Sequence, residues 1–155
     1  MKRERERMAL ALAEAEAAAA EGEVPVGAVL FDAEGRLLAA AHNRVRSLND
    51  PTAHAEILAL RAASARLGTS RLEGSSIYVS LEPCPMCAAA IGFARLKRLY
   101  FGAYDPKGGG VEHGPRIFDQ RSAHHRPEIY GGIAEARAKK VVQAFFRERR
   151  RVEQG

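Results

Sequence analysis

Ile77-Tyr78-Val79-Ser80-Leu81-Glu82-Pro83-Cys84-Pro85-Met86-Cys87 passes from an apolar run with a β-branched start directly into a cluster of prolines and cysteines. Residues 77–81 read as a short buried strand and 84–94 as a helix, so both cysteines fall on the first turn that follows a strand. Being three positions apart, they face one side of that turn. The unsatisfied N–H groups and the positive dipole end there favour thiolate over thiol.

Upstream, Asp50-Pro51-Thr52-Ala53-His54-Ala55-Glu56-Ile57 opens a second helix. It is predicted over 54–67 from the apolar positions Ile57, Leu58, Leu60, Ala63 and Leu67, with Pro51-Thr52 at its entrance and Gly68 at its exit. Residues two apart in mid-helix point about 200° from each other. His54 and Glu56 therefore share a site only where the chain enters its helix, and the implied geometry is two helix N-termini meeting at one metal.

Cys-x-x-Cys alone is a weak signal, open equally to a redox pair, half of a structural zinc site or two buried cysteines. A thioredoxin-like pair needs no His-x-Glu upstream. A closed structural site needs a fourth ligand, which only His42, His113, His124 or His125 could supply, and no second close-spaced pair accompanies them. Catalytic zinc typically keeps three protein ligands and leaves one position for water. His54, Cys84 and Cys87 supply the three, and Glu56 is left to move protons. His-x-Glu with Pro-Cys-x-x-Cys downstream matches the signature of the zinc deaminases. His113, His124 and His125 read as surface or loop residues.

The remaining elements frame this centre. Residues 24–31 and 36–41 are apolar stretches separated by Asp32-Ala33-Glu34-Gly35, a turn sequence, which predicts a hairpin. Residues 98–103 are another strand candidate. A loop rich in glycine and proline follows over 105–127, and a closing helix is predicted over about 133–151. Near the start, the basic segment Met1-Lys2-Arg3-Glu4-Arg5-Glu6-Arg7 and the alanines behind it superficially look like a secretory signal. Glu14 and Glu16 interrupt the apolar stretch, however, and Met8, Leu12, Ala15 and Ala19 recur at helical spacing before Gly22, so the reading is an amphipathic first helix. Strands and helices alternate after the hairpin, which argues for an α/β fold with a sheet between helical layers.

A chain of 155 residues with 46% hydrophobic content is long enough to bury a core unaided and is expected to form one domain over 1–155. Two cysteines spent on a metal leave none for disulfides, which agrees with a reducing compartment, and the expected location is cytoplasmic. No window approaches the roughly 18 consecutive apolar residues of a membrane span. The formal net charge is +5, and Arg147, Arg149, Arg150 and Arg151 crowd its end. Such a run is either a solvated helix end that complements the dipole or a nucleic-acid contact. With Phe145 and Phe146 just before it, a helix could bury its aromatic side and present guanidinium groups to phosphates.

Taken together, these residues make the chain similar to the cytidine-deaminase-like zinc deaminases and, within them, to the bacterial tRNA adenosine deaminases that convert the wobble adenosine to inosine. The anchors span nearly the whole chain: Glu23-Val24-Pro25-Val26-Gly27-Ala28-Val29, Asn43-Arg44, the two clusters above, Phe101-Gly102-Ala103-Tyr104-Asp105-Pro106-Lys107 and Phe145-Phe146-Arg147-Glu148-Arg149-Arg150. His-x-Glu and Pro-Cys-x-x-Cys mark the superfamily only. The tRNA branch rests on the other segments, above all the aromatic and arginine tail.

The resemblance implies a three-layer α/β/α fold with a mixed central sheet, one Zn2+ per subunit, and hydrolytic attack at C6 of adenine with Glu56 as both base and acid. By the same resemblance Asn43 would hydrogen-bond the base, although a loop-capping asparagine is an equal reading. Val26 and Leu81 would line the base pocket, or simply belong to the core. Asp105 and Lys107 would lie near the sugar and phosphates of flanking nucleotides. Phe145, Arg147, Arg149 and Arg150 would contact RNA, the partner would be a tRNA anticodon loop, and the enzyme would be a homodimer. Two departures stand out: Gly108-Gly109-Gly110-Val111-Glu112-His113-Gly114-Pro115 does not follow the alanine, glycine and serine pattern of the best-known relatives, and His42 stands where they often place tryptophan. A deaminase of a free base or nucleoside, and a noncatalytic zinc-stabilised RNA-binding domain, are the alternatives.

Overall fold

The fold is organised around one five-stranded sheet, described here from a computed structural model whose described residues are 1–154. Gly155, the last residue of the expected 1–155 unit, lies outside the described residues. In chain order the elements are α1 (Lys2–Ala20), β1 (Gly27–Phe31), β2 (Leu37–His42), α2 (Val45–Leu48), α3 (Ala55–Leu67), β3 (Ser76–Leu81), α4 (Pro85–Phe93), β4 (Arg98–Ala103), a 3-10 turn (Ile117–Asp119), β5 (Glu128–Tyr130) and α5 (Glu135–Gln154). The strands lie in the order β2-β1-β3-β4-β5. β1 pairs antiparallel with both β2 and β3, whereas β3, β4 and β5 run parallel, so the sheet is mixed.

The strand periodicity decides which side chain enters which layer, because successive residues point to opposite faces. On one face Ala28, Leu30, Ile77, Val79, Leu99 and Phe101 pack with Ala59 and Ala63 of α3 and Ala88 and Ile91 of α4. On the other, Val29, Phe31, Tyr78 and Tyr100 meet Met8, Ala11 and Leu12 of α1 and Ala138 of α5. The result is the three-layer α/β/α arrangement. α1 crosses β1 so closely that a side chain on Gly27 would run into the Ala11 carbonyl and the Ala15 backbone, and the Gly27 N–H instead donates to Ser80 Oγ at 3.0 Å.

The structure departs from the sequence expectations in a few places, each with a definite cause. β1 begins at Gly27 rather than at residue 24, because Val24–Val26 close a tight turn through Val26 N–H to the Val24 carbonyl at 2.9 Å. α2 has no counterpart in the sequence reading; the buried Glu23 carboxylate, distant in sequence, collects the N–H groups of Arg46 and Ser47 at 3.0 and 2.8 Å and so fixes its first turn. β5 is a three-residue edge strand just after the expected 105–127 loop and before the closing helix, held by pairing to β4 rather than by its own pattern. α5 covers the predicted closing helix but does not bury its aromatic side: from Gln143 onward every described residue except the half-buried Phe145 is exposed, Phe146 included. No helix among the described residues is long and apolar enough to cross a membrane.

Candidate active site

β2, by way of α2, and β3 deliver two helix N-termini to the same end of the sheet. His54 is the N-cap of α3 and Cys84 the N-cap of α4, both with extended backbone, and Pro85 occupies the first turn of α4 where its missing N–H costs nothing. His54 Nδ1 lies 3.6 Å from Cys84 Sγ and 3.5 Å from Cys87 Sγ, and the three donor atoms all fall within 4.8 Å of one another. Bond lengths of about 2.0–2.1 Å to nitrogen and about 2.3 Å to sulfur make the N···S edge of a tetrahedron about 3.6 Å. The spacing and the one-nitrogen, two-sulfur donor set therefore fit zinc.

The protonation of these groups points the same way. Cys87 S–H donates to Cys84, and with the His54 ring also beside it the Cys84 thiol is lowered to about 4, while the Cys87 thiol is pushed far up by that same bond and by burial. His54 is raised, first by its bond to Cys84. One thiolate, one shared proton and an imidazole are thus gathered where a divalent cation would displace the proton. Glu56 projects from the first turn of α3 into the same space. It is buried, its Oε1 has no hydrogen-bond partner, and burial raises its carboxyl to about 7.

A cavity of about 480 Å³ opens onto this cluster and is lined by His54, Glu56 and Cys84 together with Val26, Asn43, Leu81, Asp105 and Arg149. The Asn43 carbonyl oxygen accepts the N–H of Ala55 at 2.7 Å, so this side chain caps α3 as well as facing the cavity. Lys107 is not at that cavity. It lines an adjoining groove of about 770 Å³ between the 103–108 segment and α5, with Tyr104, Lys139, Val142, Phe146 and Arg150; Leu81 and Asp105 border both spaces. Phe145 sits on the other flank of α5, over Glu16 and Ala19 of α1, with the Arg149 guanidinium 5.6 Å from its ring centre. Arg147 lines none of these hollows and is exposed.

Four residues went unassigned or misread in the sequence. Phe146, not Phe145, faces the groove, because residues 142, 146 and 150 share one face of α5. His113 is not a bystander: its Nδ1 lies 2.8 Å from Glu82 Oε1. His42 is held between Glu14 and Glu21 at 2.7 and 3.0 Å, tying β2 to α1. Glu82 is fully buried, and although burial works to raise its carboxyl, N–H donors from Asp105, Glu112 and Val111 and the His113 ring outweigh that and lower it. A glutamate between Leu81 and Pro83 at the end of an apolar strand was the one signal available for it. His125 Nε2 meets the Leu96 carbonyl at 2.6 Å, as a loop residue would.

A His-Cys-Cys donor set beside a buried carboxylate with one unpartnered oxygen, at the strand ends of a mixed sheet between two helical layers, is an arrangement suited to metal-assisted hydrolysis. The chain belongs to the family described as the cytidine and deoxycytidylate deaminase zinc-binding region, whose model matches residues 1–103. It is 56% identical over 128 residues to the tRNA-specific adenosine deaminase of Agrobacterium fabrum, an alignment that covers 83% of this chain and 84% of that one. It is similar to a solved structure from a study of A-to-I editing by tRNA:A34 deaminases at the wobble position, at 54% identity and TM-score 0.86, covering 88% of this chain and 98% of that one. It also resembles the guanine deaminase of Nitrosomonas europaea, at 25% identity and TM-score 0.74, over 91% of this chain and 83% of that one.

Proposed function

We propose that this protein is a zinc-dependent enzyme that hydrolyses adenosine to inosine at the wobble position of a tRNA anticodon. The observation that carries the chemistry is the unpartnered, buried Glu56 oxygen beside His54 and Cys84 in a cavity that also receives Arg149 from α5. The high identity to tRNA-specific adenosine deaminases supports the substrate. His54 Nδ1, Cys84 Sγ and Cys87 Sγ would hold one zinc, which when bound supplies Lewis acidity and lowers the pKa of a water toward neutrality. Glu56, raised to about 7, is suited to accept one proton from the attacking water at ordinary pH and pass it to the ring nitrogen, and then to carry the proton of the hydroxyl added at C6 to the amino group, which leaves as ammonia.

Asn43 presents its amide at the base edge while its oxygen stays on Ala55, and Val26 and Leu81 supply the apolar walls of the base pocket. A single-stranded anticodon loop can splay its target base into such a cavity, with flanking nucleotides along the groove of Asp105, Lys107, Phe146 and Arg150. We further propose a single functional unit over residues 1–155, a homodimeric state and a cytoplasmic location, in keeping with a tRNA substrate.

The test is inosine formation in an anticodon stem-loop RNA carrying a wobble adenosine, beside free adenosine, cytidine and guanine, with zinc-loaded wild type and Glu56→Ala. Inosine in RNA alone, abolished by the substitution, is the expected result. Ammonia release from a free base or nucleoside only would move the assignment to the guanine-deaminase type of activity. Silence on every substrate would favour a noncatalytic zinc-stabilised RNA-binding domain.

A further inference from the structure

We propose that Glu82 is a positioning residue, which holds the 105–113 loop in register with the metal-ligand segment 83–87 and thereby sets the substrate-side wall of the site. The proposal rests on reading that site as an RNA deaminase centre. The Glu82 side chain is fully buried and both its oxygens are saturated. Oε1 accepts the N–H of Asp105 at 3.0 Å and faces His113 Nδ1 at 2.8 Å. Oε2 accepts the N–H groups of Val111, Glu112 and His113 at 3.1, 2.9 and 3.1 Å. One carboxylate thus gathers five donors from a nine-residue loop that has no regular secondary structure of its own.

The loop is seated against the ligand segment as well as around the carboxylate. Gly110 N–H donates to the Pro83 carbonyl at 2.8 Å, and a Cβ at Gly110 would stand 2.5 Å from Pro85 N and 2.9 Å from the Cys84 carbonyl carbon. A Cβ at Gly109 would collide with the Glu82 carboxylate itself. The run of glycines that departs from the usual loop pattern is therefore what lets backbone N–H groups close on a buried anion beside the ligands. From this anchor the wall is built outward: Asp105, held at its N–H by Glu82, accepts Gly108 N–H on its own carboxylate at 3.0 Å, and both residues line the catalytic cavity. Lys107, between them, lines the adjoining groove.

A carboxylate is required because every donor on it is an N–H directed at an oxygen; glutamine keeps one oxygen and turns an NH2 toward the other set. Glu82→Gln leaves His54, Cys84 and Cys87 untouched, so the substitution separates wall from metal. Contacts between wall and substrate are made in ground state and transition state alike, so their loss falls on KM more than on kcat.

The experiment measures three quantities on wild type and Glu82→Gln, both zinc-loaded: zinc per chain, hydrogen exchange of the Asp105, Val111, Glu112 and His113 amides, and steady-state editing of the anticodon stem-loop RNA. The expected result is unchanged zinc, roughly tenfold or faster exchange at those amides, and a KM raised roughly tenfold with kcat changed less. Glu82→Asp, which keeps the charge, should regain part of the lost KM. Loss of zinc, or faster exchange with an unaltered KM, would overturn the proposal in favour of a purely structural plug. Wild type that edits no RNA would instead remove the functional reading, a failure recognisable because it precedes any comparison of variants.

Discussion

Asn43 Oδ1 accepts the backbone N–H of Ala55 at 2.7 Å, so a single side chain at the end of β2 both satisfies the first free donor of α3 and borders the cavity in which His54 and Glu56 stand. The two readings of Asn43, cap or base contact, are therefore not alternatives. Substitution should separate them. Asn43→Ala strands a buried helix-terminal N–H and should cost about 1–2 kcal/mol of stability along with activity. Asn43→Asp keeps an acceptor at a helix N-terminus, where a carboxylate is favoured, but loses the amide donor. Its thermal midpoint should stay near wild type while editing falls steeply. Equal midpoints for Ala and wild type would remove the capping role.

Glu56 provides the pH-dependent prediction. Its carboxyl is raised from 4.5 to about 7, chiefly by burial. A carboxyl with a raised folded-state value binds its proton more tightly when folded. Its stabilising effect is therefore present below about pH 4.5 and is lost as pH rises through about 7, where the buried group must ionise. In chelator-treated protein at pH 8, Glu56→Gln should then be more stable than wild type by on the order of 2–3 kcal/mol. The difference should vanish toward pH 4.5, as urea titrations across that range would reveal, while editing falls by at least about 10²-fold. A Gln variant less stable than wild type at pH 8 would show that Glu56 has a partner.

The two cysteines should respond unequally to removal of the metal. Cys84 is partly exposed with its thiol lowered to about 4, whereas Cys87 is buried and its thiol raised. Only the thiolate is nucleophilic. Iodoacetamide at pH 6 should accordingly modify Cys84 and spare Cys87 in chelated protein, and added zinc should protect both, with peptide mass spectrometry reading the site. Equal labelling of both cysteines would mean that the shared proton is not localised.

The centre was legible in the sequence because its chemistry is local. Cys84 and Cys87 lie one turn apart, His54 and Glu56 straddle one helix start, and each pair's spacing carries its geometry. The layers were legible too, since Ile77–Leu81 and the apolar positions of α3 follow simple periods. What was missed depends on partners distant in sequence. Glu82 is defined by five donors 23 to 31 residues away, α2 by Glu23, and β5 by a neighbouring strand. The orientation of the tail was left open for a related reason: with Phe145 and Phe146 adjacent, the flank of α5 that faces α1 is fixed by packing with a helix more than a hundred residues away.

That choice of flank gives the prediction on which RNA recognition turns. Val142, Phe146 and Arg150 lie one turn apart along α5 and face the groove with Lys107, whereas Phe145 faces α1. An exposed aromatic ring beside cationic side chains suits stacking of an unpaired base next to its phosphate, at about 1–3 kcal/mol per base. Phe146→Ala should thus weaken stem-loop RNA binding by roughly five- to a hundredfold without lowering the thermal midpoint. Phe145→Ala should do the reverse, lowering the midpoint with little change in affinity. Among the arginines, Arg149 borders the catalytic cavity and Arg150 the groove, while Arg147 borders neither. Removing a phosphate contact reduces the salt slope of binding to a single strand by about 0.7. Arg149→Ala and Arg150→Ala should each show that reduction in affinities measured from low to high salt, and Arg147→Ala should not. Identical slopes for all three would assign the basic run to nonspecific attraction and leave the groove without a role in holding the anticodon.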